Sequence, residues 1–253
     1  MPNDVILATS TLLGFLLTLA RISGVFVFVP LPGLHSGFDL ARVMLSLSLT
    51  VALFPYWPRV QPDIAAGFLA VWIISEAAFG IGIGLSVAFI TEGFNMAAQI
   101  IGLQAGYGYA STVDPTSQVD STILVIFAQL AAGLLFFATG LDREVIRIFA
   151  GTLQATPAVL SQNAGRQLLS LGGLMFSTGL RLALPVVAVL LMVDISLALL
   201  GRVNAQLQLL TIAFPIKMLV GLAIFAWLLL LIPIFLRSGS ESAFTAGKAL
   251  LVR

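Results

Sequence analysis

The chain has no cysteine, a single histidine and few charges: Asp, Glu, Lys and Arg make up only 9% of its 253 residues. The absence of cysteine excludes disulfides, thiolate metal sites and a cysteine nucleophile. His35 stands alone, so it cannot build a metal cluster, and no carboxylate is placed to complete a serine triad. The ladder Gly80, Gly82, Gly84 is not followed by Gly-Lys-Ser/Thr, which excludes a phosphate-binding loop. No catalytic residue, metal site or cofactor is expected. A net charge of +1 gives no argument for nucleic acid or for a strongly acidic partner. Soluble domains carry about 25% charged residues, so the shortage of charge also excludes a soluble domain. The start, MPNDVILATS, has no basic residue ahead of its apolar run. A cleavable signal peptide wants one, so the first segment is expected to be retained.

What is present is apolar: 59% of residues are hydrophobic, and the mean hydropathy is +1.09. Six stretches lie near the ~20 residues that a helix needs to cross a bilayer. They run from about Val5 to Val29, Leu40 to Trp57, Ile64 to Ile90, Thr122 to Gly140, Leu168 to Leu200 and Leu207 to Leu236. An all-α membrane protein with long, kinked helices follows. The fifth stretch is too long for one crossing and contains Pro185. A shorter piece, Asn95 to Ile101, reads as a half-helix leading into irregular backbone. Asp142, Arg143, Glu144 and Arg147 among Leu141, Val145, Ile146 and Phe149 predict a short amphipathic helix at an interface. Glycines four apart let a neighbouring helix approach closely, which is the simplest reading of the Gly80–Gly84 ladder.

Lys and Arg mark the cytoplasmic side of membrane proteins. With both termini inside, the inner loops hold Arg59, Arg143, Arg147, Arg166, Arg237, Lys248 and Arg253, against Arg42 and Arg202 outside. Five ionisable residues fall inside apolar stretches: Arg21, Glu76, Arg181, Asp194 and Lys217. Each costs ~2.5–3.5 kcal/mol or more facing lipid at mid-bilayer, so each should face protein or water and pair. A proton or ion relay is one use for them; ion pairs within or between subunits fit their scatter better.

The most distinctive segment is Gly102 to Ser121, GLQAGYGYASTVDPTSQVDS, which is rich in glycine and hydroxyls and has no basic residue. Its glycines and Pro115 predict largely non-helical backbone. Such backbone belongs in water, in protein or along a polar cavity, so an external loop and a re-entrant loop at a pore both remain open. A potassium filter would need Thr-Val ahead of Gly106-Tyr107-Gly108, where this chain has Gln104-Ala105.

The chain resembles the FliR/SctT family of type III secretion export-gate proteins. The resemblance rests on Arg21 followed by Pro30, on Tyr109-Ala110-Ser111-Thr112-Val113-Asp114-Pro115, on Leu184-Pro185 with Asp194, and on Phe214-Pro215-Ile216-Lys217. It implies a FliP-like part over residues 1–165, a FliQ-like hairpin over 166–237 and a cytoplasmic tail over 238–253. It further implies a gate built with FliP-like and FliQ-like subunits, contacting an FlhB-like protein. That gate would sit in the bacterial inner membrane, partly raised above it, and pass unfolded flagellar proteins. In that picture a plug closes the channel, formed by Gly106, Tyr107, Gly108, Tyr109, Ala110, Ser111, Thr112, Val113, Asp114, Pro115, Thr116, Ser117 and Gln118. Arg21, Glu76, Arg181, Asp194 and Lys217 would be buried charges serving assembly. A secondary transporter and an ion channel are the alternatives from other classes; each should purify alone or as a homo-oligomer.

Overall fold

A computed structural model describes residues 3–31, 39–60, 64–107, 123–153, 163–203, 209–230 and 233. Seven α-helices follow in order: α1 (Asn3–Phe28), α2 (Leu40–Ala52), α3 (Ala66–Ala105), α4 (Ile123–Ala138), α5 (Leu141–Leu153), α6 (Ala164–Val203) and α7 (Leu209–Leu229). A 3₁₀ turn, Phe54–Tyr56, follows α2, and the described residues contain no strand.

The organising element is α3, 40 residues long and apolar on every side. A helix of that kind has no solvent face and must be surrounded. It runs parallel to α1 along one side. There Arg21 lies against Gly80, and a Cβ built on Gly84 would stand 2.6 Å from the Val25 carbonyl oxygen. Any side chain at Gly80 or Gly84 would push α1 off, so the ladder is a packing surface. A second contact runs along α6, and α7 returns antiparallel, stacking Phe225 on Phe94 at 5.8 Å. The core fills the seams with Ile22, Val25, Phe79, Ile83, Ala97, Ile101, Leu124, Phe136 and Leu190.

The structure corrects the hydropathy map in three places. The third apolar stretch and the expected half-helix Asn95 to Ile101 are one continuous helix. The one glycine between them, Gly93, is tolerated because α6 packs against it: a Cβ built there would stand 3.1 Å from the Met175 carbonyl oxygen. Second, α2 has only 13 residues, about 20 Å, and stops ahead of Pro55. Third, three helices among the described residues are long and apolar enough to cross a membrane, and four if α4 and α5 count as one span bent by 64°. Among the described residues, α2 and the apolar part of α7 fall short of a full crossing. The predicted amphipathic helix is present as α5, with Asp142 and Glu144 in its first turn, where the helix dipole favours acids.

Arg42 also departs from expectation. It was assigned to an outer loop, but it is 3% exposed and lies in α2. Its guanidinium donates to the Phe26 carbonyl and to Val29 O at 2.9 Å. It thereby caps the last turn of α1, whose carbonyls have no helical partners.

Candidate functional site at the two ends of α3

Ionisable residues from distant parts of the sequence meet at each end of α3. Near its start, Glu76 faces Arg21 of α1, and both are buried, at 1% and 0% exposure. The Arg21 guanidinium donates to Glu76 Oε2 through Nε and forms the ion pair through Nη2. Its Nη1 donates to the Thr152 carbonyl at 2.7 Å, and its plane lies 5.1 Å from the Phe79 ring centroid. Trp72, one turn before Glu76, donates its indole N–H to Oε1 at 3.0 Å. Charge in a low-dielectric interior is retained only when paired and hydrogen-bonded, and this network supplies both conditions. It also supplies the positive group that the last turn of α5 lacks in its own sequence, fastening α5 to α1 and α3.

At the other end, α3 runs into the glycine-rich stretch. Gly106 closes the helix at φ +92°, a left-handed C-cap that favours glycine. Immediately before and after it, three groups dock on the α6–α7 hairpin. Gln104 Nε2 approaches Asp194 Oδ2 at 3.4 Å, Gly106 sits under the Phe214 ring, and Tyr107 Oη donates to the Met218 carbonyl at 2.9 Å. Burial there pushes the Tyr107 phenol pKa up, keeping the hydroxyl a donor. Asp194 in turn accepts from Lys217 at 2.9 Å and 3.0 Å, an ion pair whose side chains are 39% and 15% exposed. The root of the stretch is thus bonded to the hairpin beside the hairpin's own ion pair.

Of the predicted site residues, Gly106 and Tyr107 stand at this root. Gly108, Tyr109, Ala110, Ser111, Thr112, Val113, Asp114, Pro115, Thr116, Ser117 and Gln118 lie outside the described residues, as does His35. Arg21 and Glu76 are brought together, as are Asp194 and Lys217. Arg181 joins neither pair and is exposed on α6. Sequence reasoning missed four contributors: Trp72, the Thr152 carbonyl, Gln104 and the Arg42 cap. Trp72 was detectable, since it precedes Glu76 by four positions on one helix face. The other three depend on tertiary contacts that carry no local pattern. Among the described residues, no three His, Asp or Glu side chains gather as metal ligands.

The family model for bacterial export proteins, family 1, matches residues 12–243. The chain belongs to that family. It is 30% identical over 221 residues to the flagellar biosynthetic protein FliR of Escherichia coli (strain K12), covering 86% of this chain and 84% of the relative. It is 31% identical over 198 residues to the flagellar biosynthetic protein FliR of Pectobacterium carotovorum subsp. carotovorum, covering 77% and 76%. It is also similar to the surface presentation of antigens protein SpaR of Salmonella typhimurium, at 26% identity over 235 residues, covering 90% and 85%. The match spans both ends of α3 and the hairpin, so the two ion pairs lie within the family's shared region.

Proposed function

We propose that the chain is a structural, non-catalytic subunit of a flagellar type III export gate in the bacterial inner membrane. It would form a conduit for unfolded flagellar proteins with FliP-like and FliQ-like subunits and contact an FlhB-like protein. Residues 106–118 would plug that conduit. Membership of the export family supports the role, and the docked root of the glycine-rich stretch supports the plug. A segment that closes a lumen needs one fixed end, and Gln104, Gly106 and Tyr107 provide it on the hairpin. A composition beyond that point of glycine, hydroxyls and few apolar residues would keep local opening inexpensive. At about 60 Å each, α3 and α6 outrun the ~30 Å hydrocarbon core, which supports an assembly standing partly clear of the bilayer.

Deleting residues 106–118 tests this reading. The expected result is an assembled complex whose membrane vesicles leak small ions and dyes. An assembled complex with no leak would make the stretch an external loop.

A further inference from the structure

One charge on α6 is left over. Arg181 is exposed on this helix and has no carboxylate partner among the described residues. It is the sole charged residue between Arg166 and Asp194, each roughly 20 Å away along the axis. A guanidinium so placed cannot reach the end of the apolar segment by extending its side chain. Its surroundings on the same face are Leu174, Leu184, Ala188, Leu191 and Ile195, all exposed. In the most apolar stretch of α6, 22% of residues are buried, against 50% for α3, so this face awaits a cover.

A second feature coincides with the charge. Pro185 lies inside α6 four residues after Arg181 and has no N–H, so the Arg181 carbonyl loses its ordinary helical donor. The same point of the surface therefore presents an unneutralised cation and a carbonyl short of a donor. Lipid tails offer neither a carboxylate nor an N–H, and such positions are satisfied by neighbouring helices.

We infer that the α6 face around Arg181 is a docking surface for an apolar helix of another subunit carrying one Asp or Glu, whose carboxylate pairs with Arg181. Charge complementarity selects the partner, because a leucine-lined face alone would accept any apolar helix. The flanking small residue Ala188 lets that helix approach closely. The inference deepens the assembly reading by stating what one neighbour must present.

The test uses the full chain coexpressed with its export-apparatus neighbours and purified in mild detergent, as wild type, R181L, R181E and R181K. Co-purified subunits are quantified by mass spectrometry, with membrane levels of the chain and bound anionic phospholipid measured in parallel. R181L and R181E should lose one subunit by about thirtyfold or more, while R181K retains most of it. Replacing the paired acid of that subunit with Lys should rescue R181E. Full subunit recovery with R181L overturns the inference, and a selective loss of phospholipid in that variant reassigns Arg181 to a lipid phosphate. Equal loss of the chain itself in all three variants, R181K included, also overturns it in favour of an internal role. If the wild-type chain recruits no other subunit, the export-gate reading fails as well.

Discussion

Replacing Glu76 by Leu strands the Arg21 guanidinium in a site from which water is excluded. The variant keeps the Thr152 carbonyl and the Phe79 face as partners but loses the carboxylate that accepts from Nε and faces Nη2. Breaking a buried pair from one side typically costs 3–5 kcal/mol. The Trp72 indole N–H loses its acceptor too, at a further ~1 kcal/mol. At about 2–4 °C per kcal/mol for a chain of this size, melting should fall by roughly 10 °C or more. Arg21→Met should cost about as much, because it leaves the carboxylate buried and the Thr152 carbonyl unmet. The double variant is the informative one. Well-packed apolar replacement of a whole buried pair is often neutral, so it should sit about 1–2 kcal/mol below wild type, the remainder being Thr152 and Trp72. The assay is a double-mutant cycle on the purified protein, unfolded by heat or by SDS titration with helicity as the signal. Additive single effects, or singles within about 1 kcal/mol of wild type, would refute the claim that the pair fastens α5 to α1 and α3.

Gly80→Leu should separate α1 from α3, because any Cβ there meets the Arg21 carbonyl; a loss of about 3 kcal/mol or more in melting is expected. Asp194→Asn and Lys217→Met should cost less than Glu76→Leu, about 1–2 kcal/mol, since the Asp194 side chain is 39% exposed. Both should also increase proteolytic cleavage within residues 108–118, the consequence of a loosened root. Tyr107→Phe removes one hydrogen bond to Met218 and should cost about 1 kcal/mol. Gly106→Ala should cost ~1–2 kcal/mol from its φ of +92°, plus the price of displacing Phe214, and melting reads both variants.

What could be read from the sequence was whatever has a period or a composition. The apolar runs gave α1, α4 and α6 to within a few residues at both ends and α7 at its start, and the charge pattern of Leu141 to Phe149 gave α5. The cost of burying charge identified Arg21, Glu76, Asp194 and Lys217 as needing partners. It could not say which partners, because pairing of Arg21 with Glu76 is a property of how α1 lies on α3. The piece Asn95 to Ile101 was read as a separate half-helix, and Gly102 as the start of irregular backbone, whereas α3 continues through both to Ala105. In lipid or in a packed core the low helix propensity of glycine is outweighed by the close helix contact it allows. Arg42 was misplaced for the opposite reason: a lone arginine after a loop looks external, and only the adjacent end of α1 shows it to be a cap.

The position of the two ion pairs along α3 bears on what they are for. Glu76 and Gln104 lie roughly 40 Å apart on one helix. A proton relay needs titratable groups within hydrogen-bond reach of one another, or water between them. Between these two ends α3 carries one titratable side chain, Glu92, about 24 Å along the axis from Glu76 and about 18 Å from Gln104, too far to reach either. The rest of its buried face is mostly apolar, with Ile83, Val87, Phe94, Ala97 and Ile101, and its buried polar groups, Ser86, Thr91 and Asn95, do not titrate. The Arg21 guanidinium stays charged at any physiological pH, so its partner gains nothing by exchanging a proton with it. Each pair instead ties together elements distant in sequence: α1, α3 and α5 at one end, α6 and α7 with the end of α3 at the other. Charges used this way fix register between helices that apolar packing alone would let slide. On the proposed gate reading, a helix clamped at both ends would carry a displacement of the hairpin to the root of the glycine-rich stretch as a rigid body. That mechanical use of charge would set such a subunit apart from a transporter, whose charges must change state as they work.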